Sequence, residues 1–307
     1  MLASPESVAA VLGMPAGTTG EVEPLGLRPG SPEHVLLSPP GGPRMDVMVR
    51  RSPDPDRAAN HLAVMETFTR LGFAQAPRLL AIVGDTTVEE YLAGLSPMSV
   101  VPSDSELRAA VEALAAVHSL ASREGLRWEL RPAETLPGPD LPVFRLGYSA
   151  AERDAARPAM DQVHAALAES PIGFAHGSAV ADHVVCARGR AWLVNFEDAG
   201  QGAQLLDVAA FLLTAGLDAP ERRLLASHYA RQRGLAEEET AELIDAGGLL
   251  WGLNWLLAVP RRLVENYGDD IASARIRLEA ARIDEGMRSP AGTHPAAAAI
   301  RAALFDG

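Results

Sequence analysis

The sequence of 307 residues contains no lysine, so all 27 of its basic residues are arginines. It has one cysteine, Cys186, which excludes an internal disulfide and gives no indication of an oxidising compartment. The N-terminus lacks the charged start of a signal peptide, because the first basic residue is Arg28. The longest strongly apolar run, residues 249–259, is interrupted by Asn254 and is too short to span a bilayer. These absences together predict a cytoplasmic protein.

Positive charge is also scarce relative to negative charge, with 27 arginines against 40 aspartates and glutamates and a net charge of −13. A field of this sign repels nucleic acid and anionic lipid, so neither nucleic acid nor a membrane is an expected partner. The expected partner is either a small molecule, preferably a cationic one, or another protein. Hydrophobic residues make up 48% of the chain, enough to fill the core of two modest domains or one large one.

The first third of the chain changes from helical to strand-like spacing. Ser4 is placed to cap a first helix that Gly13 ends. The spacing then predicts strands over 22–27, 33–38 and 45–50, a helix over 57–71, and a hairpin of 78–83 with 86–92. We therefore expect a small antiparallel sheet accompanied by one helix.

The remainder of the chain is predicted to be mainly helical. A helix is expected over 105–119, and Ser149 with Glu152 forms a capping box for a helical region that Pro158 should bend or restart. Residues 127–148 hold four prolines and predict a long irregular loop. The later elements are a hairpin of 183–187 with 191–196, then helices from about residue 204, broken at Pro220, Gly234, Pro260 and Pro290.

The most specific motifs lie in residues 174–211. They read Phe-Ala-His-Gly-Ser-Ala-Val-Ala-Asp-His-Val-Val, then Trp-Leu-Val-Asn-Phe-Glu-Asp-Ala-Gly-Gln-Gly, then Leu-Leu-Asp-Val-Ala. This region resembles the aminoglycoside phosphotransferase and choline-kinase-like family, in which His-Gly-Asp, four residues and Asn precede Ile-Asp-Phe/Trp-Glu-Asp and Gly-Asp-Pro-x-x-Asp-Leu-Ala. Residues 114–118 resemble the family's Leu-Ala-x-Leu-His helix end, and residues 88–94 resemble its interlobe hinge.

The resemblance implies an α+β, protein-kinase-like fold with two lobes, which agrees with the predicted order of elements. The expected N-lobe, residues 1–94, contains the antiparallel sheet and ends with the hinge at 88–94. The expected C-lobe, residues 95–307, is helical and carries the catalytic loop within 174–198. Function still depends on particular groups placed on such a fold.

Three polar positions central to phosphoryl transfer depart from the family pattern. Ser178 replaces the catalytic Asp, His183 a metal-binding Asn, and Asn195 a metal-binding Asp. A serine hydroxyl has no useful basicity at neutral pH, and loss of a positioned general base typically costs about 10²–10⁴ in rate. An amide in place of a carboxylate removes a negative charge, so we do not expect a strong magnesium site. The carboxylates close enough in sequence to replace the lost groups are Asp182 and Glu197.

The resemblance also implies where a nucleotide such as ATP would bind, at Arg50, Glu90, Tyr91 and Leu92. Arg50 ends the strand that normally presents a cation to the phosphates, and arginine keeps the charge but not the compact ammonium of lysine. Its carboxylate partner would come from the following helix, where His61 is the aligned residue and Glu66 a displaced alternative. Residues 28–31 occupy the place of a phosphate-covering loop but lack its glycine density.

The remaining motif residues are interpreted as structural. His176 is expected to brace its loop through backbone hydrogen bonds, and His118 ends a helix in the family pattern. Asp207 is expected either to cap the next helix or to tie down the His-Gly turn. Cys186 lies among apolar neighbours on a predicted strand and is expected to be a small hydrophobic residue.

Together these features predict a pseudokinase of the aminoglycoside phosphotransferase type, which binds a nucleotide, a small molecule or a partner protein without efficient phosphoryl transfer. The alternative is an active ATP-dependent phosphotransferase that acts on an aminoglycoside, a macrolide or another hydroxyl acceptor. That alternative needs a rearranged metal site containing Asp182 or Glu197. A third hypothesis is a protein-interaction scaffold without a nucleotide site.

Overall fold

The structure is a computed structural model that describes residues 4–25, 32–96, 102–120, 150–265 and 270–305. Two units can be distinguished by their internal contacts. The first consists of Met1–Gly94 with Val194–Asp198, and the second of Leu95–Leu193 with Ala199–Gly307. The predicted glycine-poor loop at 28–31, the predicted irregular loop at 127–148 and the cap residue Ser149 lie outside the described residues.

A five-stranded antiparallel sheet is the centre of the first unit. Its strands are β1 (Thr19–Pro24), β2 (Glu33–Ser38), β3 (Met45–Arg50), β4 (Leu79–Val83) and β5 (Thr86–Glu90), in the spatial order β1-β2-β3-β5-β4. The prediction for the first strand was wrong by three residues. β1 begins at Thr19 because its pairing with β2 runs from Thr19↔Ser38 to Pro24↔Glu33, and an edge strand tolerates the proline.

Alternating side chains give the sheet two different faces. One face packs with helix α1 (Pro5–Val11), which Ser4 caps by accepting a hydrogen bond from the Ser7 backbone at 3.2 Å. The buried apolar cluster on this face consists of Val8, Ala9, Val35, Leu37, Val47, Val49 and Val88. Because successive side chains of a strand point to opposite faces, the other face carries the alternate residues of β2, β3 and β5. These include His34, Met48, Arg50 and Glu89.

Helix α2 (Pro55–Leu71) follows β3 and starts two residues before its predicted position. Asp54 caps it, because its carboxylate accepts hydrogen bonds from the backbone N–H groups of Asp56 (2.9 Å) and Arg57 (3.3 Å). Gly72 ends the helix with φ of 63°, in the left-handed region that glycine adopts at helix ends. The buried residues of α2 are His61, Val64, Met65 and Phe68.

The second unit is mainly helical. Its helices are α3 (Asp104–Leu120), α4 (Ala150–Ala168), α5 (Gln204–Thr214), α6 (Ala219–Arg233), α7 (Glu237–Glu265), α8 (Asp270–Arg288) and α9 (Pro295–Phe305). Two antiparallel pairs accompany them, β6 (Ile172–Ala175) with β9 (Gly200–Ala203) and β7 (Val184–Ala187) with β8 (Arg190–Leu193). Helix α5 is buried along its whole length. In the part of the chain that is described, no helix is long and apolar enough to cross a membrane.

Two prolines that were predicted to interrupt helices lie inside continuous helices. Helix α4 continues through Pro158, and α7 continues through Pro260. An interior proline removes one backbone hydrogen bond and typically costs about 3 kcal/mol. Packing offsets this cost in α4, whose buried residues include Ala156, Met160, Val163 and Leu167.

Candidate functional site

A buried hydrogen-bond network in the second unit holds the turn that follows β6. Asp207, in the first turn of α5, accepts hydrogen bonds from the backbone N–H groups of His176 (2.5 Å) and Gly177 (3.0 Å). Gly177 has φ of 76°, a conformation that glycine adopts without a Cβ clash. The same carboxylate accepts a hydrogen bond from His118 Nε2 at 3.0 Å.

His118, near the end of α3, joins this network to Tyr229 of α6. A carboxylate only accepts, so His118 Nε2 carries the proton, and Nδ1 accepts from the Tyr229 hydroxyl at 2.8 Å. Burial lowers the pKa of His118, although Asp207 opposes the shift, and burial raises the pKa of Tyr229. A neutral imidazole and a neutral phenol therefore flank Asp207. All three are buried, so the network holds the loop and presents no group to a ligand.

The segment after this turn brings together three residues singled out in the sequence. The Ser178 backbone N–H donates to His176 Nδ1 at 3.3 Å, and the Ser178 carbonyl accepts from His183 Nδ1 at 2.6 Å. The two imidazole rings lie 6.0 Å apart between centroids with an interplanar angle of 27°. Both histidines thus contact the backbone at Ser178, where the family pattern has a carboxylate.

Asp182 is the first of the two carboxylates considered as a replacement. It lies in a 3₁₀ turn, Ala181–His183, and its Oδ1 accepts a hydrogen bond from Ser96 Oγ at 3.0 Å. Its Oδ2 forms an ion pair with Arg275 of α8. The negative charge of Asp182 is therefore paired with an arginine of the same unit.

In the first unit, Arg50 lies at the end of β3 with its side chain only 10% exposed. Its Nη1 donates to Asn195 Oδ1 at 2.9 Å. Its Nε lies 3.8 Å from Glu89 Oε1, and its Nη1 lies 3.9 Å from Glu197 Oε1. The structure therefore surrounds the expected phosphate-binding cation with one amide and two carboxylates.

A carboxylate from β5, Glu89, faces Arg50, and His61, the aligned residue of the following helix, contacts that carboxylate. Glu89 is completely buried and accepts hydrogen bonds from His61 Nε2 (2.8 Å) and Thr87 Oγ1 (2.6 Å). Helix α2 contributes His61 at the aligned position, and Glu66 is exposed. Glu89 faces Arg50 because of the strand order: β5 pairs with β3, which places Glu89 on the same sheet face as Arg50.

The environment of Glu89 stabilises its charged form. Burial by itself would raise the pKa of this carboxyl, but the charge and hydrogen bond of His61, the charge of Arg50 and the hydroxyl of Thr87 lower it to about 2. Sequence reasoning missed Glu89, although a signal was present: Thr87 and Glu89 alternate with the buried Val88. That alternation identifies a polar sheet face, and knowledge of the neighbouring strand would have identified its partner.

Glu197, the second replacement carboxylate, is also paired with arginines. Its Oε2 lies 3.7 Å from Arg57 Nε, and its Oε1 lies 3.9 Å from Arg50. The neighbouring Asp198 forms an ion pair with Arg57, and the Glu197 carbonyl accepts a hydrogen bond from Asn60 Nδ2 at 3.0 Å. Residues 196–198 are thereby attached to α2.

The other residues implied in nucleotide binding lie at the end of β5 and just beyond it. Glu90 forms an exposed ion pair with Arg78, at 3.2 Å between Oε2 and Nε. The ring of Tyr91 stacks on the ring of His34, with centroids 4.0 Å apart and an interplanar angle of 17°. Leu92 is half-buried. The aromatic pair had not been predicted, because His34 and Tyr91 are far apart in sequence.

The resemblance implies a divalent cation, and the residues at its two expected metal-binding positions, His183 and Asn195, offer it no carboxylate. Among the described residues, no three His, Cys, Asp or Glu side chains converge in an arrangement that could hold a metal ion. Asn195 Oδ1 accepts from the Arg50 guanidinium, and His183 Nδ1 donates to a carbonyl. A hard divalent cation requires several oxygen ligands, usually with carboxylates among them.

Comparisons with known proteins agree with this geometry. Residues 31–243 match the model of the phosphotransferase enzyme family, and no curated protein matches the chain in sequence. A solved choline/ethanolamine kinase family protein from Mesorhizobium loti has a TM-score of 0.65 at 20% identity, covering 98% of this chain and 99% of that one. A choline kinase from Streptococcus pneumoniae has a TM-score of 0.58 at 17% identity, covering 91% and 97%.

A third solved structure, of an amicoumacin kinase in complex with AMP-PNP, Ca2+ and Ami, has a TM-score of 0.60 at 10% identity. It covers 95% of this chain and 94% of that one. At these identities the likeness shows the fold, and it confirms the predicted α+β, protein-kinase-like class.

Proposed function

Because the chain belongs to the phosphotransferase enzyme family, we propose that it is a pseudokinase, a member that binds a ligand without efficient phosphoryl transfer. The fold provides the scaffold, and activity depends on a few groups at defined positions. Ser178, His183 and Asn195 stand at three of those positions. None of the three supplies the carboxylate that phosphoryl transfer uses to orient the acceptor hydroxyl or hold the metal.

One observation supports this proposal most strongly: both carboxylates that could replace the lost groups are paired with arginines of their own unit. Asp182 is paired with Arg275, and Glu197 lies between Arg50 and Arg57. A carboxylate paired with a guanidinium brings no net negative charge to a divalent cation. The rearranged metal site that an active enzyme would need therefore has no unpaired acidic residue among these candidates.

The size of the expected defect follows from the chemistry. Loss of a positioned general base typically costs about 10²–10⁴ in rate. Replacement of the metal-binding Asp by Asn195 adds a second loss, because the amide oxygen is neutral and already accepts from Arg50. The two losses together leave little turnover.

The ligand class follows from charge and from the relatives. Two of the similar solved structures are choline kinases or belong to a choline/ethanolamine kinase family, and their names indicate a cationic alcohol as acceptor. A net charge of −13 favours a positively charged ligand. We therefore propose a cationic small molecule or a partner protein as the principal ligand, with a nucleotide as the alternative suggested by the AMP-PNP-bound relative.

A phosphotransferase assay tests the proposal. The native protein, Asp182→Asn and Glu197→Gln are incubated with ATP or GTP and with Mg²⁺ or Mn²⁺, across aminoglycosides, macrolides, choline and homoserine. We expect all three proteins to give the same background signal. A native turnover above about 0.1 s⁻¹, somewhat below ordinary enzyme rates, that either variant abolishes would favour the active enzyme instead.

Ligand binding is measured separately from turnover, by thermal shift with the same compounds. A ligand at about 100 times its Kd stabilises the folded state by about 2.7 kcal/mol, which is readily detected. We expect a stabilising compound among the cationic acceptors. If neither nucleotides nor acceptors shift the melting temperature, the interaction scaffold becomes the better description.

A further inference from the structure

The stacked pair of His34 and Tyr91 has no role in the proposal above and lies entirely within the first unit. His34 belongs to β2, and Tyr91 follows the end of β5. Their ring centroids are 4.0 Å apart and the planes differ by 17°, which is the face-to-face contact of two planar rings. One face of the Tyr91 ring is therefore covered by a side chain of the same unit.

His34 is held in this position by carboxylates on both neighbouring strands. Its Nε2 lies 2.7 Å from Asp46 Oδ1 on β3, and its Nδ1 lies 3.7 Å from Glu23 Oε2 on β1. The His34 side chain is only 18% exposed. These contacts fix the plane of the imidazole against Tyr91.

The stacked pair lies on the sheet face that also carries Arg50. His34 pairs with Met48 in the β2–β3 register, and Met48 precedes Arg50 by two residues on the same face of β3. Two residues of a strand span about 7 Å, so the face presents an aromatic plane and a cation within a short distance. An aromatic plane can stack on a base, and a cation can pair with a phosphate, so the two together can bind a nucleotide.

Side chains of the first unit already satisfy both features. The Tyr91 ring stacks on His34, and the Arg50 guanidinium contacts Asn195, Glu89 and Glu197. We propose that His34 is a specificity-determining residue, which opposes the stacking of a nucleobase on Tyr91 by occupying one face of its ring. This inference rests on the proposed function and deepens it, because it makes a nucleotide the least favoured of the ligand classes.

The test compares ADP binding, without metal, by the native protein and by His34→Ala in calorimetric titrations. Stacking on an aromatic side chain typically changes binding by about 5- to 150-fold per base, so we expect His34→Ala to bind ADP at least fivefold more tightly. Pyrophosphate has no base and should bind both proteins equally. His228→Ala, which removes another carboxylate-paired histidine, is the matched control and should leave ADP binding unchanged.

A double variant keeps the test independent of any change in folding. In His34→Ala/Tyr91→Ala the platform itself is lost, so the gain in ADP affinity should disappear while the melting temperature stays close to that of the single variant. A gain that persists in the double variant would overturn the inference. Equal or weaker ADP binding by His34→Ala would also overturn it, since a weaker complex would mean that His34 itself contacts the base.

These outcomes are distinct from those that test the proposed function. Turnover by the native protein would refute the pseudokinase proposal, whatever the effect of His34→Ala on binding. Unchanged ADP affinity in His34→Ala, together with absent turnover in the native protein, would refute only the inference about His34.

Discussion

The two units retain different parts of the family pattern. In the second unit, His118, His176 and Asp207 match the pattern and form a closed, buried network around one carboxylate. In the first unit, Asn195 departs from the pattern and accepts a hydrogen bond from Arg50, which Glu89 of β5 also faces. The residues that hold the backbone in the second unit match the family pattern, whereas the positions expected to serve the chemistry depart from it in both units, at Ser178 and His183 in the second and at Asn195 in the first.

The difference has a physical basis. Asp207 accepts two backbone hydrogen bonds and one from His118, so a substitution there leaves several buried donors without acceptors. In the first unit, Glu89 accepts a hydrogen bond from His61 and lies 3.8 Å from Arg50 Nε, and both contacts are made by side chains. A side-chain contact such as that of Arg50 can therefore be made with a residue of another strand, whereas the two backbone N–H groups that donate to Asp207 need an acceptor at one fixed position.

The largest effect on stability is expected when the carboxylate of Asp207 is removed. Asp207→Ala leaves two backbone N–H groups and His118 without their acceptor and should lower the free energy of unfolding by about 3–5 kcal/mol, measured by urea denaturation. Asp284→Asn, an exposed member of an (i, i+4) pair with Arg288, is the control and should change it by less than about 0.5 kcal/mol. Equal effects of the two variants would contradict the comparison.

A smaller loss is expected in the first unit. Glu89→Gln removes the charge that faces His61 and Arg50 but keeps the shape of the side chain, and should cost about 2–3 kcal/mol in the same assay. Glu66→Gln, on the exposed side of α2, should cost less than about 0.5 kcal/mol. A larger loss from Glu66→Gln than from Glu89→Gln would mean that the helix supplies the partner after all.

The contributions of Glu89 and His118 to the stability of the protein should be lost in different pH ranges. The folded-state pKa values of Glu89 and His118 lie below their ordinary values of 4.5 and 6.5. As the pH decreases, the unfolded chain therefore takes up each proton first, and the free energy of unfolding decreases. The stability gap between the native protein and Glu89→Gln should be constant above about pH 5 and shrink from pH 4.5 towards about 2.

The corresponding gap for His118→Gln should change at higher pH, as soon as the pH falls below 6.5. Urea denaturation of the three proteins between about pH 8 and pH 3 measures both gaps. A Glu89 gap that shrank between pH 8 and pH 6 would contradict the assignment of this pH dependence to Glu89.

The smallest effect is expected at Ser178. Its hydrogen bonds to His176 and His183 are made by the backbone, so Ser178→Ala should change the free energy of unfolding by less than about 0.5 kcal/mol and leave the background phosphotransferase signal unchanged. A measurable loss of turnover in this variant would assign the hydroxyl a chemical role.

Local patterns were sufficient to predict most of the elements. Alternating apolar residues predict β2 and β3 with the bounds that the structure has, and the spacing of Leu107, Val111 and Leu114 predicts α3 to within one residue at each end. These signals depend on neighbours along the chain. Pro158 misled the prediction because the packing that tolerates it comes from distant residues.

The arrangement of the site could not be predicted in the same way. Glu89 faces Arg50 only because β5 pairs with β3, and Tyr91 meets His34 only because β2 lies on the other side of β3. Likewise, residues 95–307 were expected to form one lobe, and no local pattern indicates that Val194–Asp198 packs with the first unit. The motif identified which positions had changed, and the structure was needed to show what replaced their contacts.

The most direct test of the central claim is the rate of phosphoryl transfer from ATP by the native protein, compared with the double variant Asp182→Asn/Glu197→Gln at saturating Mg²⁺ and acceptor. The account predicts that the two rates are the same and lie below about 0.1 s⁻¹. A native rate well above this value that the double variant lacks would contradict it, because the arginine-paired carboxylates would then have to support catalysis.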